Sequence, residues 1–269
     1  MGLALLRSCV RIMKGIMTIR PAPPPQIFSD ARRKAVFSRA VTRQGDRNSS
    51  RFLWETMTQE IAERLDFMRF EGRNALVIGD ASRLLEKELT RRAMTVTHEN
   101  PVSWMEASRL PGTFDLIVDC GTLASVNDVP GALIQLRAML NPTGLLLGAL
   151  IGAGSLPVLR RTMLNAEPTR ASPRMHPMID NRSASALLQR AGFARQVVDG
   201  ARLTVRYGSL VTLIHDLRDH GMTNVLQKPG PPLNRMQLLR AAKAFDDQKD
   251  SQGKVSEMFE LLFLTAWNN

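Results

Sequence analysis

Phe52, Leu53, Met57, Ile61, Leu65 and Met68 recur at spacings of three and four, which predicts an amphipathic helix with one apolar stripe. This pattern belongs to a helical lead-in read over residues 28–70. Ala75, Leu76, Val77 and Ile78 follow as an unbroken apolar run and read as a buried strand. Gly79 closes the run. A helix is then expected over residues 83–92, with Leu84, Leu85 and Leu89 inward and the pair Glu88 and Arg92 outward. Residues 94–98 read as a second short strand, and "FDLIVDC", Phe114 to Cys120, as a third.

"VNDVPGALIQLRAMLNPTG" carries the clearest helical signal. Asp128 is placed to cap it, and Pro130 suits its first turn. Val129, Leu133, Leu136 and Leu140 form its buried stripe, and Asn141, Pro142 and Gly144 end it. "LLLGALIG" is an uninterrupted apolar run, as in a strand buried on both faces. Helices are expected over residues 155–167 and 183–191, on either side of a polar loop with Pro168, Pro173 and Pro177. Two strands follow at 194–199 and 203–207, then helices at 210–220 and 235–248. "EMFELLFLTAWN" reads as the last strand. Strands alternating with helices predict an α/β fold with a doubly wound, mostly parallel sheet. It has a helical N-terminal lead-in and a helical insertion before the last strand. No internal repeat is visible.

At 269 residues the chain can bury one full core, or one core with a small appendage. Its 44% hydrophobic and 23% charged residues are ordinary for a globular protein. Cys9 and Cys120 lie far apart, which argues against a disulfide framework and against a cysteine zinc site. His98, His176, His215 and His220 form no ligand cluster, so no metal is expected.

The charge is uneven. Residues 1–54 hold eleven basic residues and two acidic ones, Asp30 and Asp46, and so carry +9 of the net +11. A basic arm of this kind suits nucleic acid, an anionic membrane surface or an acidic protein partner. Arg39, Arg43, Arg47 and Arg51 recur every four residues, so one helix would stack them as a partner-docking face or as a solvated one. No aromatic residue interleaves with them as a stacking platform, which weighs against nucleic acid. The first twenty residues contain four basic and no acidic residues, and their apolar runs are too short to span a bilayer. They suit a transit peptide, or an extension before a second start at Met17. "PAPPPQ" follows as a stiff boundary. The expected organisation is a basic leader at 1–26 and one domain at 27–269. That domain divides into a lead-in at 27–72, a core sheet at 73–200, a strand-helix insertion at 201–252 and a final strand at 253–269. Two unpaired cysteines fit a bacterial cytoplasm and a mitochondrial matrix alike.

The run from "FDLIVDCGTLAS" to "LLLGALIG" resembles the second half of class I S-adenosylmethionine methyltransferases. In them an "FDLV" strand is followed by a helix and then by "L-x-P-x-G", here Leu140, Pro142 and Gly144. "ALLQRAGFARQVVD" is similar to their helix-Gly-Phe-strand element. "LTVRYGSLVTLIHDLRDHGMTNVL" resembles an insertion found in two related branches. One makes the methyl ester of malonyl-acyl-carrier protein in biotin synthesis. The other comprises the methyltransferase-like assembly factors of respiratory complex I and their alphaproteobacterial relatives. "IFSDARRKAVFSRA" resembles the arginine-rich lead helix of the assembly-factor branch. The resemblance covers about residues 27–269. It implies S-adenosylmethionine as cofactor, held near Gly79, Asp80, Glu99, Asp119 and Cys120. For the assembly-factor branch it also implies a protein partner and hydroxylation of an arginine on a complex I subunit.

Three departures from that family stand out. Its first loop reads roughly "D-x-G-x-G-x-G", where the glycines let backbone N–H groups approach the cofactor. Here Val77 takes the acidic position, Gly79 the first glycine, and Ala81 and Arg83 the second and third. Asp80 and Ser82 are good helix caps, so a plain capped turn is the alternative reading. Next, Glu99 suits the acid that binds the ribose hydroxyls, but only fourteen residues, Asn100 to Thr113, precede Phe114. Parallel strands need a crossover of about a dozen residues, so one crossover fits where the family has two. One helix of the cofactor lobe is therefore expected to be missing, and an edge strand with it. "SWMEASRLP" is similar to the family's "D-x-E-x-L-P", with Glu106 as its acid. Lastly, "GTLASVND" puts Ala124 and Ser125 where the branch has His and Trp. Cys120 has no evident His partner and reads as a small buried residue rather than a nucleophile. Three functions stay open. They are a methyltransferase with a weakened or lost cofactor site, a non-catalytic assembly factor on the same scaffold, and a nucleic-acid binder using the basic arm.

Overall fold

The computed structural model describes residues 25–106, 113–169 and 172–269. The expected leader, apart from Pro25 and Gln26, lies outside the described residues, as does the part of "SWMEASRLP" after Glu106.

Six strands form one sheet: β1 (Asn74–Ile78), β2 (Thr95–Glu99), β3 (Phe114–Cys120), β4 (Leu140–Ile151), β5 (Arg195–Tyr207) and β6 (Val255–Trp267). Their order across the sheet is β2-β1-β3-β4-β6-β5. The first four run parallel, and β6 is antiparallel to both of its neighbours. The side-chain period of two decides the layering. Ala75 and Val77 of β1 enter one core, and Leu76 and Ile78 enter the other.

The first core is closed by α1 (Asp30–Gln44), α2 (Phe52–Phe67), α3 (Leu84–Arg91), α6 (Pro157–Ala166), α8 (Leu210–Asp219) and α9 (Arg235–Asp246). The second is closed by α4 (Ser103–Glu106), α5 (Val129–Met139) and α7 (Asn181–Arg190). Helices on both faces of a mostly parallel sheet make the fold doubly wound, as the alternation of elements predicts. Asp128 caps α5 by accepting from Gly131 N at 2.9 Å, as expected. Among the described residues, no helix is long and apolar enough to cross a membrane.

The lead-in is two helices, where one was expected. Gly45 ends α1, its amide donating to Val41 O and Thr42 O, and α2 starts only at Phe52. The reason is tertiary. The Asp219 carboxylate, from the end of α8, accepts from Arg43 Nε at 2.5 Å and from Ser50 N at 2.9 Å, holding the turn. Arg39 and Arg43 thus lie on α1, Arg47 in the turn and Arg51 just before α2, so the four arginines do not share a helix face.

The two short strands expected at 194–199 and 203–207 are one strand. β5 pairs with β6 through thirteen consecutive residues, continuing across Gly200, because its partner is equally long. The boundary expected at 200/201 therefore falls inside β5. Between β2 and β3 the described residues hold only α4, and β2 is the edge of the sheet. Trp104 of α4 is fully buried against the β1 and β3 side chains of the second core.

Candidate functional site

The carboxyl ends of β1, β3 and β4 meet a cavity of about 310 Å³, the place where ligands sit in open α/β sheets. Its floor includes Gly79, Cys120, Gly121 and Ile151. Val36 and Phe37 of α1 and Trp54 and Met57 of α2 form one wall. Residues 174–178 and 221–225 form another.

Gly79 adopts φ +81, and its amide donates to Glu99 O at 3.0 Å. A Cβ there would collide with Thr122 Cγ2 and lie 3.2 Å from Cys120 O. The glycine is needed by the protein's own packing. Gly79→Ala should cost about 2 kcal/mol or more in a denaturant titration, from left-handed backbone plus overlap. In Gly79→Ala with Thr122→Ser the overlap part should be recovered, leaving about 1 kcal/mol of backbone cost. Equal losses in the single and double variants would remove the overlap account.

Asp80 is buried, and its carboxylate accepts from Ser82 N, Ser82 Oγ, Leu85 N and Glu86 N. It thereby satisfies the first-turn amides of α3, whose N-cap residue, Arg83, supplies no side-chain cap. Ala81 avoids positive φ, whereas Arg83 adopts φ 59. The Arg83 guanidinium pairs with the Glu86 carboxylate. His98 Nε2 lies 2.9 Å from Asp80 O. Burial, followed by the Arg83 charge, lowers the His98 pKa, so the ring is neutral and donates there.

Glu99 ends β2 opposite Ile78, and its carboxylate accepts from Ser103 Oγ at 2.7 Å. Asp119 is fully buried. Its carboxylate accepts from Thr122 Oγ1 and from Leu123 N at 3.1 Å, closing the 3₁₀ turn that follows β3. Burial pushes its pKa up to about 6, against those hydrogen bonds and the Arg33 charge. Burial, then the Asp80 and Asp119 charges, raises the Cys120 thiol pKa well above its ordinary value. That thiol stays protonated and is a poor nucleophile.

Of the five residues expected to hold the cofactor, Gly79 and Cys120 border the cavity; Asp80, Glu99 and Asp119 do not line it. The fit to S-adenosylmethionine is therefore poor. Thr122 occupies the space that a side chain at Gly79 would take, and the Asp80 and Asp119 carboxylates are bonded to backbone amides of the turns that follow them. No reaction step is derived through that group.

Arg33 was not singled out from the sequence. Its side chain is 3% exposed and borders the cavity, donating to Asp30 Oδ1 at 2.9 Å, Ser125 Oγ at 3.2 Å and Pro101 O at 2.8 Å. It ties α1 to the loops after β3 and β2. A signal existed: Arg33, Val36, Ala40 and Gln44 fall on the buried stripe of α1. Two histidines also border the cavity. His220 Nδ1 donates to Asp216 O at 2.7 Å, and Nε2 accepts from Leu53 N at 3.3 Å. His176 Nε2 accepts from Val225 N at 2.7 Å. Burial drives both down to about 4, so both rings are neutral.

Of the four arginines expected to dock a partner, Arg43 is tied to Asp219, and Arg51 donates to Gln44 O at 2.7 Å. Arg39 and Arg47 are exposed. Among the described residues no group of acids, histidines and cysteines could hold a metal.

No protein-family model matches the sequence. The chain is 32% identical over 159 residues to the mitochondrial arginine-hydroxylase NDUFAF5 of Homo sapiens, covering 58% of this chain and 46% of that protein. It is 25% identical over 156 residues to the malonyl-[acyl-carrier protein] O-methyltransferase of Laribacter hongkongensis, covering 58% of this chain and 52% of that one. The chain thus spans about half the length of the curated relatives it matches. The solved 1,6-didemethyltoxoflavin-N1-methyltransferase of Burkholderia thailandensis is similar over 93% of this chain and 94% of that one, at 14% identity and a TM-score of 0.49. The chain has a doubly wound, mostly parallel α/β sheet, and its sequence resembles the arginine-hydroxylase and the malonyl-carrier-protein methyltransferase over 58% of its length.

Proposed function

We propose that this chain is a methyltransferase-like assembly factor of the respiratory complex I type, which acts by binding a protein partner and has lost S-adenosylmethionine binding. One observation carries the reading. Asp80 and Asp119, two of the five residues expected to hold the cofactor, are buried and bonded to backbone amides of the following turns, and Thr122 lies against Gly79. A cofactor that recruited either carboxylate would leave a buried N–H without its acceptor, at about 1–3 kcal/mol. Similarity to the arginine-hydroxylase supports the branch. The kinship to mitochondrial and bacterial proteins is compatible with either a matrix or a bacterial cytoplasm.

The test is calorimetry with S-adenosylmethionine and S-adenosylhomocysteine. The expected result is no saturable heat up to about 1 mM, a ceiling of roughly −4 kcal/mol on binding. Micromolar affinity for either compound would restore the enzyme reading. Arg39 and Arg47 are the two exposed members of the basic set and are proposed as contacts to an acidic protein surface. Retention of a co-purified partner should weaken with salt and be lost in the Arg39→Glu, Arg47→Glu double variant. Unchanged retention removes these residues from the proposal.

A further inference from the structure

Five methionines border one cavity: Met57 of α2, Met163 of α6, Met175 and Met178 from the segment before α7, and Met222 after α8. They are five of the fourteen in the chain, drawn from four separate segments, and all five belong to the first core or pack against it. Phe37, Trp54, Ile151 and Leu159 fill the rest of the wall. Unbranched, polarizable thioether chains adapt their shape to what they enclose. The volume of about 310 Å³ falls at the lower end of small-molecule sites, roughly 300–1,000 Å³.

Most polar groups on this wall already have partners; Trp54 Nε1, buried on the same wall, has none and is left to donate to a neutral acceptor. The Arg33 guanidinium is bonded to Asp30, Ser125 and Pro101, and its charge also attracts Asp119. Arg174 is paired with the Glu167 carboxylate and donates to Pro231 O. His220 uses both ring nitrogens, and His176 Nε2 accepts from Val225 N. An anion entering here would compete with carboxylates already in place. A cluster of waters would find few partners, and cavities with apolar walls stay dry.

We propose that the cavity binds a small, neutral, mainly apolar molecule of roughly ten to fifteen non-hydrogen atoms, since a cavity of about 150 Å³ takes benzene and this one is about twice that volume. The proposal rests on the reading that S-adenosylmethionine does not occupy this end of the sheet.

The experiment is a fluorescence titration of the full 269-residue protein with 1-naphthylamine, which falls within that size range, as the neutral probe, followed by competition. Undecan-2-one, undecanoate and S-adenosylmethionine are the competitors. The expected result is saturable binding of one probe per chain, displaced by undecan-2-one at a concentration at least about tenfold below that needed of undecanoate. Ala124→Trp, which fills the cavity at its 3₁₀ turn, should weaken the probe by about tenfold or more. Should that variant fail to fold, Met178→Gln, which keeps length and adds an amide, should produce a loss in the same direction. Three results overturn the proposal: no saturable binding, tighter binding of undecanoate than of the ketone, or unchanged binding in a folded variant. Displacement by S-adenosylmethionine overturns it together with the proposed function. Calorimetric binding of S-adenosylmethionine without probe displacement overturns the proposed function and leaves the apolar site standing.

Discussion

Replacing His176 and His220 together by glutamine should remove up to about 6 kcal/mol from the acid sensitivity of this fold between pH 6.5 and pH 4. Both rings are neutral in the folded chain, with pKa values depressed to about 4 by burial. In the unfolded chain they titrate near 6.5. A histidine depressed in this way contributes stability that is present above pH 6.5. That stability is lost as pH falls from 6.5 toward 4, because only the unfolded state takes up the proton. At about 1.4 kcal/mol per pH unit, each ring withdraws about 3 kcal/mol.

The geometry gives the same sign. Protonated His220 could no longer accept from Leu53 N, nor protonated His176 from Val225 N. The comparison of wild type with the double variant matters because other groups act the opposite way. Burial raises the pKa of Asp119 to about 6 and also raises those of Asp216 and Glu257, so their protonation favours the fold as pH falls. These groups are present in both proteins and cancel in the difference. Urea titrations at pH 7 and pH 4.5 measure it. The same acid loss in both proteins would show that the two histidines do not control it.

Glu257→Ala should cost about 3–5 kcal/mol at pH 7, the largest effect expected of a single substitution here. Glu257 points from β6 into the first core and is 0% exposed. Its carboxylate accepts from Val158 N at 3.2 Å, Leu159 N at 2.7 Å and Met258 N at 3.0 Å. The first two are the opening amides of α6. Leu156, the residue before that helix, adopts φ 59 and supplies no side-chain cap. Without Glu257 these amides stay buried with no acceptor, at about 1–3 kcal/mol each. Glu257→Gln keeps one acceptor oxygen and should cost about half as much. Because Leu159 and Met163 of α6 line the cavity, the alanine variant should also weaken binding there. Guanidinium midpoints give the stability change. A loss below about 1 kcal/mol would mean that water reaches these amides.

The strand at Phe114–Cys120 has the expected bounds, and α5 has Asp128 as its cap. Both signals are local: an apolar run and a capping residue a few positions from its target. But Leu140, expected on the buried stripe of that helix, and Asn141, Pro142 and Gly144, expected to end it, belong to β4, which pairs with β3 from Leu140 on. The short interval between Glu99 and Phe114 leaves room for one crossover, and β2 lies at the edge of the sheet among the described residues. The arginine ladder at 39, 43, 47 and 51 misled, because nothing local marks Asp219 as the partner that holds the turn between α1 and α2.

The sequence by itself determined the kinds and order of the elements, since the periods of 2 and 3.6 and the turn residues act over a few positions. It also determined that the first loop has one glycine and two capping side chains. Only the tertiary structure decided what those side chains do. Asp80 and Asp119 turn inward to cap, and Arg33 is buried against loops far along the chain. Glu257 caps a helix some hundred residues before it, and five methionines from four segments converge on one cavity. Each depends on contacts between residues distant in the chain, and no window of sequence contains both partners.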